Sequence, residues 1–105
     1  MQARVNTFQG PPEGIEPAIK NVREQVLPSL RRIPGWAGLV SLVDRSTGKT
    51  IGITLWESED ALRKSDEAAN SIRQQSASSG GAKVVSVERY EVTDFVLAEQ
   101  AAPIV

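Results

Sequence analysis

The side chains best suited to handling a small ligand are Arg4, Asn6, Trp56 and Tyr90. Asn6 is a polar residue inside a short β-rich run. Its amide can hydrogen-bond a substrate carbonyl or bound oxygen, or else satisfy nearby backbone. Trp56 closes another such run. Its ring can stack on a flat aromatic ligand while its N–H holds a polar group, or it can serve as a core aromatic. Tyr90, the only tyrosine, can donate a phenolic proton or pack half-buried on a strand. Arg4 can offset a developing negative charge or snorkel to the surface. Glu57, Glu88, Arg89 and Glu91 alternate near strand ends and read as solvated charges.

What is missing narrows the chemistry further. The chain has no cysteine and no histidine. Thiolate nucleophiles, disulfides, sulfur metal ligands and Ser-His-Asp or Cys-His arrangements are excluded, along with the commonest general base. No carboxylate run has calcium or magnesium spacing, and no Gly-rich strand-to-helix loop cradles phosphate. The reading is therefore of a site without metal or cofactor. Net charge is −1 at neutral pH, and no basic stripe follows a phosphate backbone, so nucleic acid is not an expected partner. No apolar run approaches the roughly 20 residues of a membrane span. The N-terminal residues lack the apolar stretch of a signal peptide, and a cytoplasmic protein is expected.

These candidates need a scaffold. At 105 residues, 40% hydrophobic and 24% charged, the composition is that of one globular domain. Ala3–Phe8 reads as a first strand, ended by the Gly10-Pro11-Pro12-Glu13-Gly14 cluster. Ile15, Ile19, Val22, Val26, Leu30 and Ile33 follow at steps of 4, 3, 4, 4 and 3, one stripe of a helix over 15–32. Pro28 lies inside that pattern and is expected to kink it at the Glu24 carbonyl. Trp36–Val43 and Thr50–Trp56 read as a hairpin around a polar turn. Ser58 caps a second helix, whose stripe is Ala61, Leu62, Ser65, Ala69 and Ile72. Residues 76–81 read as a flexible serine-glycine loop, Lys83–Val92 as a fourth strand, and 94–105 as an apolar tail. Gly38 and Gly52, inside strands, mark a bulge or a close backbone approach.

The order βαββαβ is the ferredoxin-like pattern: an α+β fold, with a four-stranded antiparallel sheet covered by two helices on one face. The strands are apolar on both sides. Alternation sets Trp36, Val40 and Leu42 against Leu39 and Val43. It sets Ile51, Ile53 and Leu55 against Thr54 and Trp56, and Val84, Tyr90 and Val92 against Val85 and Val87. Helices cover one face only. The other is expected to meet its copy in a second chain, giving a homodimer through the open sheet face. The tail either packs on its own protomer or reaches across to the partner.

Several segments also resemble the dimeric α/β-barrel superfamily, in particular the antibiotic-biosynthesis-monooxygenase-like proteins. They are Arg4-Val5-Asn6-Thr7-Phe8, Leu27-Pro28, Pro34-Gly35-Trp36-Ala37-Gly38, Trp56-Glu57-Ser58-Glu59-Asp60-Ala61 and Val87-Glu88-Arg89-Tyr90-Glu91-Val92. The resemblance implies a homodimer with sheets packed face to face and, in each protomer, a pocket between the sheet and its own helices. It implies a small, largely apolar ligand, with cofactor-independent oxygenation of an aromatic or polyketide-type metabolite as the leading activity. A non-catalytic ligand-binding or dimerisation module is the alternative. In a haem-degrading branch, an asparagine of the first strand and a tryptophan ending the third line the pocket. Asn6 and Trp56 match these, but that branch's iron-ligating histidine has no counterpart here.

Overall fold

In the computed structural model, which describes residues 1–100, strand β1 (Gln2–Gln9) lies inside the sheet. It pairs antiparallel with β3 (Lys49–Trp56) on one side and β4 (Lys83–Glu91) on the other, and β2 (Trp36–Asp44) completes the order β2-β3-β1-β4. This is the ferredoxin-like arrangement. The polar turn between β2 and β3 is tied by Asp44, whose carboxylate accepts from the Ser46 amide at 3.0 Å. Residues 101–105, the end of the expected tail, lie outside the described residues. Ahead of them, a single 3₁₀ turn forms at Ala98–Gln100, and Phe95 and Val96 are exposed. Among the described residues no helix is long and apolar enough to cross a membrane.

The first crossover is helical but not uniform. Helix α1 (Ile15–Asn21) passes into a π-helical stretch, Val22–Val26, and continues as α2 (Leu27–Arg31). The Leu27 amide donates to the Val22 carbonyl, five residues back. Pro28 has no amide hydrogen, and its ring would crowd the Glu24 carbonyl in a regular α-helix. Widening the preceding turn by one residue relieves that conflict, so the expected kink takes the form of a π-bulge just before the proline. The apolar stripe still reaches the sheet: Ile15, Val26 and Leu30 are buried.

The second crossover breaks at Ser65 into α3 (Glu59–Lys64) and α4 (Asp66–Ser79). Ser58 caps α3, its hydroxyl accepting from the Ala61 amide at 3.1 Å. Helix α4 runs through most of the expected loop. Its serines bond back along it, Ser78 Oγ to the Gln74 carbonyl at 3.1 Å and Ser79 Oγ to that of Ser76 at 2.7 Å, and Ala77 is buried. Only Gly80 and Gly81 make the turn.

Two bulges change which way the strand residues face. Between Trp36 and Gly38 the β2–β3 register slips, with Trp36 opposite Trp56 and Gly38 opposite Leu55. The extra residue turns Trp36 to the helix-covered side. There it packs with Leu39 against the core of Val26, Leu30, Trp56 and Leu62, not with Val40 and Leu42 as simple alternation requires. A second slip in β4 places Val84 opposite Phe8 and Ser86 opposite Thr7. Val84 and Val87 thereby share the covered side, and Tyr90 stands opposite Ala3 on the open one. The open face is apolar on β1, β2 and β3 but carries Ser86, Glu88 and Tyr90 on β4.

Candidate functional site

Arg4, Asn6 and Phe8 of β1 face the helices, in register with Thr54, Gly52 and Thr50 of β3. Over them lies a cavity of about 100 Å³, walled by the sheet, the first crossover and α4. That is several times the roughly 10–15 Å³ one ordered water needs. Its lining is mainly apolar, with Phe8, Ile19, Val22, Leu39 and Ile72 among the residues, and Arg4, Asn6, Trp56 and Arg73 enter the same wall. Gly52 is part of the reason the space exists. A Cβ built there meets nothing within 4 Å, so this strand glycine marks neither a bulge nor a close approach but an unfilled position over the cavity floor.

Arg4 does not snorkel. Only 2% exposed, it donates from Nη1 to Ser65 Oγ at 3.0 Å and from Nη2 to the Leu62 carbonyl at 3.0 Å. It also forms a close ion pair with Asp66 Oδ1. Leu62 and Ser65 lie at the C-terminal end of α3, where a helix favours cationic donors, and Asp66 opens α4. The guanidinium lies 5.7 Å from the Trp56 ring centroid, within cation–π range. Burial pushes the Arg4 pKa below its ordinary value, and Asp66 opposes that shift. Asp66 also takes Arg89 Nη2 on its second oxygen at 2.8 Å. Partial burial raises the Asp66 pKa, but Arg89 and Arg4 together outweigh this and hold the carboxyl below the usual range.

Asn6 projects into the cavity with both ends of its amide engaged. Nδ2 donates to the Gly52 carbonyl at 3.0 Å, and Oδ1 accepts from Arg73 Nη1 at 3.1 Å. Trp56 is fully buried, and its Nε1 donates to Thr54 Oγ1 at 3.0 Å. Arg4, Asn6 and Trp56 thus converge on one cavity. Tyr90 does not join them. It is half-exposed on the open sheet face, donating its hydroxyl to Glu88 Oε2 at 2.6 Å. That hydrogen bond to Glu88 is the main reason its pKa is raised.

Sequence reasoning missed Asp66 and Arg73, and it took Arg89 for a solvated charge. A signal was present. Asp66 and Arg73 stand three before and four after Ala69, a member of the stripe that lays α4 on the sheet. Arg89 sits opposite Arg4 in the β1–β4 register, so the strand pairing brings both arginines to one carboxylate.

Comparison with known structures places this architecture. At 17% identity, a monooxygenase from the ActVA-Orf6 gene of Streptomyces coelicolor, solved with nanaomycin D, matches with a TM-score of 0.68 over 91% of this chain and 90% of its own. SnoaB of Streptomyces nogalater, a cofactor-independent oxygenase, matches at 18% identity with a TM-score of 0.60, over 90% and 95% of the two chains. The fold is that of the antibiotic-biosynthesis-monooxygenase-like α/β proteins. No family model matches the sequence. The uncharacterised protein Rv2557 of Mycobacterium tuberculosis is 36% identical over 90 residues, covering 86% of this chain. The chain spans 40% of that relative's length. In this monooxygenase-like fold the cavity occupies the space between sheet and helices, and Asn6, Trp56 and Arg73 face into it.

Proposed function

We propose that this monooxygenase-like protein binds a small, flat, largely apolar molecule between its sheet and helices and promotes its cofactor-independent oxygenation. The carrying observation is the cavity itself: an apolar chamber with Arg4, Asn6 and Trp56 gathered in one wall. Two structural neighbours are an oxygenase and a monooxygenase, which supports the same reading. In this chemistry the ionised substrate is the reductant. Anthrone illustrates the balance. Its anion gives an electron to O₂, the radicals combine at the ring carbon, and the peroxide loses water. One oxygen atom becomes the quinone carbonyl and the other leaves as water with the two hydrogens of that carbon. The protein's part is to exclude bulk water, stack the ring and place amide and guanidinium groups near the developing charge.

A second reading, binding without turnover, is favoured by one feature. No carboxylate lines the cavity among the described residues, so a substrate must ionise without a side-chain base. Oxygen uptake with anthrone separates the two. Asn6→Ala and Trp56→Phe are each expected to lower the rate about tenfold or more. Gly52→Val fills the open floor and is expected to abolish both uptake and binding. Anthrone binding without uptake leaves the module reading standing, and rates unmoved in all three variants overturn the site.

We also propose that the functional unit is a homodimer closed over the open sheet face, where Val5, Val40, Leu42 and Ile53 form an apolar patch without helical cover.

A further inference from the structure

The charges around the cavity do not balance. Arg4, Arg73 and Arg89 are gathered near one carboxylate, Asp66, which both Arg4 and Arg89 contact. Among the described residues, Asp66 is the carboxylate whose charge acts on Arg4 and on Arg73. The cluster thus keeps a surplus of positive charge in a partly desolvated place, where an unmatched cation is costly. The three arginines are not equivalent. Arg4 is consumed by Asp66, Ser65 and the Leu62 carbonyl. Arg89 is spent on the other Asp66 oxygen. Among the described residues, the hydrogen-bond partners of Arg73 are neutral, Asn6 Oδ1 at 3.1 Å and Asn70 Oδ1 at 3.2 Å, and it lines the cavity. Two hydrogen bonds leave most of a guanidinium's five N–H groups for a ligand.

We infer that the ligand of this cavity carries an anionic oxygen, a carboxylate or an ionised enol or phenol, and that Arg73 holds it. This rests on the ligand-binding reading above and narrows its ligand class. Asn6 becomes a positioning residue. Anchored on the Gly52 carbonyl, it fixes Arg73 over the cavity floor. A fork of parallel N–H donors suits both kinds of oxyanion, and an apolar surround strengthens the contact. The remaining wall is apolar, so the rest of the ligand is a flat hydrocarbon or quinonoid body.

The test uses two matched pairs of probes, titrated by calorimetry at pH 7 into the full chain. 1-Naphthoate is set against neutral 1-naphthamide, and ionised 2-hydroxy-1,4-naphthoquinone against 2-methoxy-1,4-naphthoquinone. The anion is expected to bind about tenfold tighter than its neutral partner in at least one pair, and the pair that shows it separates carboxylate from enolate. Arg73→Gln is expected to erase that preference, weakening the anion about tenfold more than its neutral partner. Arg73→Lys, which keeps the charge but loses the fork, retains part of it and decides the matter if the glutamine variant does not fold. Equal binding of anion and neutral probe in both pairs overturns the anion inference and leaves the cavity reading intact. A preference that persists in folded Arg73→Gln overturns the role given to Arg73. If no probe of either kind binds, the ligand-binding reading fails and takes this inference with it.

Discussion

Asp66 is gripped by arginines from neighbouring strands, and its charge is what makes a buried Arg4 tolerable. Arg4 is 2% exposed and Asp66 43%. Losing the carboxylate strands a guanidinium in the interior, but water screens part of the effect at the exposed end. Asp66→Asn is expected to lower unfolding free energy by roughly 1–3 kcal/mol at neutral pH. The pH dependence follows from the depressed carboxyl pKa. The folded state holds the proton less tightly than the unfolded chain. The contribution is therefore full above the ordinary Asp pKa and is lost as pH falls through the lower folded one. Urea midpoints of wild type and Asp66→Asn should differ at pH 7 and converge as pH falls below the ordinary Asp range. A constant gap across that range would mean the carboxylate charge is not what Asp66 contributes. Asn6, Trp56 and Arg4 were legible in the sequence as polar or aromatic intrusions in strand-like runs. Asp66 and Arg73 were not, because on a polar helix a charge that reaches back to the sheet looks like a solvated one until the sheet beneath it is known.

Elements were legible where hydrophobic period and turn chemistry agree. The four strands lie within about a residue or two of where alternation and punctuation put them. What the alternation could not carry was facing. One extra residue at Ala37 and another at Val85 reverse the alternation on one side of each bulge, so Trp36 and Val84 come out on the covered side. The β2–β3 hairpin depends on a closer constraint. Gly48 has φ +81°, and a Cβ there would collide with the Gly10 carbonyl oxygen. Gly81 has φ +65° with nothing within 4 Å of its Cβ position. Both positions cost an L-residue about 1–2 kcal/mol for the left-handed backbone. Gly81→Ala should lose only about that much. Gly48→Ala adds a collision with backbone that must move, so its loss should exceed that of Gly81→Ala by about 1 kcal/mol or more in urea denaturation. Equal losses would show that the contact between the hairpin turn and the end of β1 is unimportant to stability.

For the whole molecule, the deciding quantity is the uncovered side of the sheet. With strands about 4.8 Å apart and about 3.3 Å per residue, one face of this sheet projects roughly 500 Å². Accessible area exceeds projected area, which brings the face near the roughly 600–1,000 Å² that each partner hides in a stable interface. The bulge in β4 changes the expected contact. With Ser86, Glu88 and Tyr90 on the open side there, the greasy part is confined to β1, β2 and β3, and β4 forms a polar border along one edge of it, as interface rims are usually polar. Leu42 is 47% exposed without a partner. Burying a few hundred Å² of such surface is worth several kcal/mol at roughly 25 cal/mol per Å², a large share of a small domain's stability. Sedimentation equilibrium at micromolar concentration should therefore return twice the 11.3 kDa chain mass. Leu42→Glu, which puts an unpaired charge on the patch without touching the cavity, should shift it toward a single chain and lower thermal stability in a concentration-dependent way. Tyr90→Phe on the rim should leave the mass unchanged. A folded wild-type monomer under those conditions would mean that the open face is stable in water and that the cavity works in a single copy.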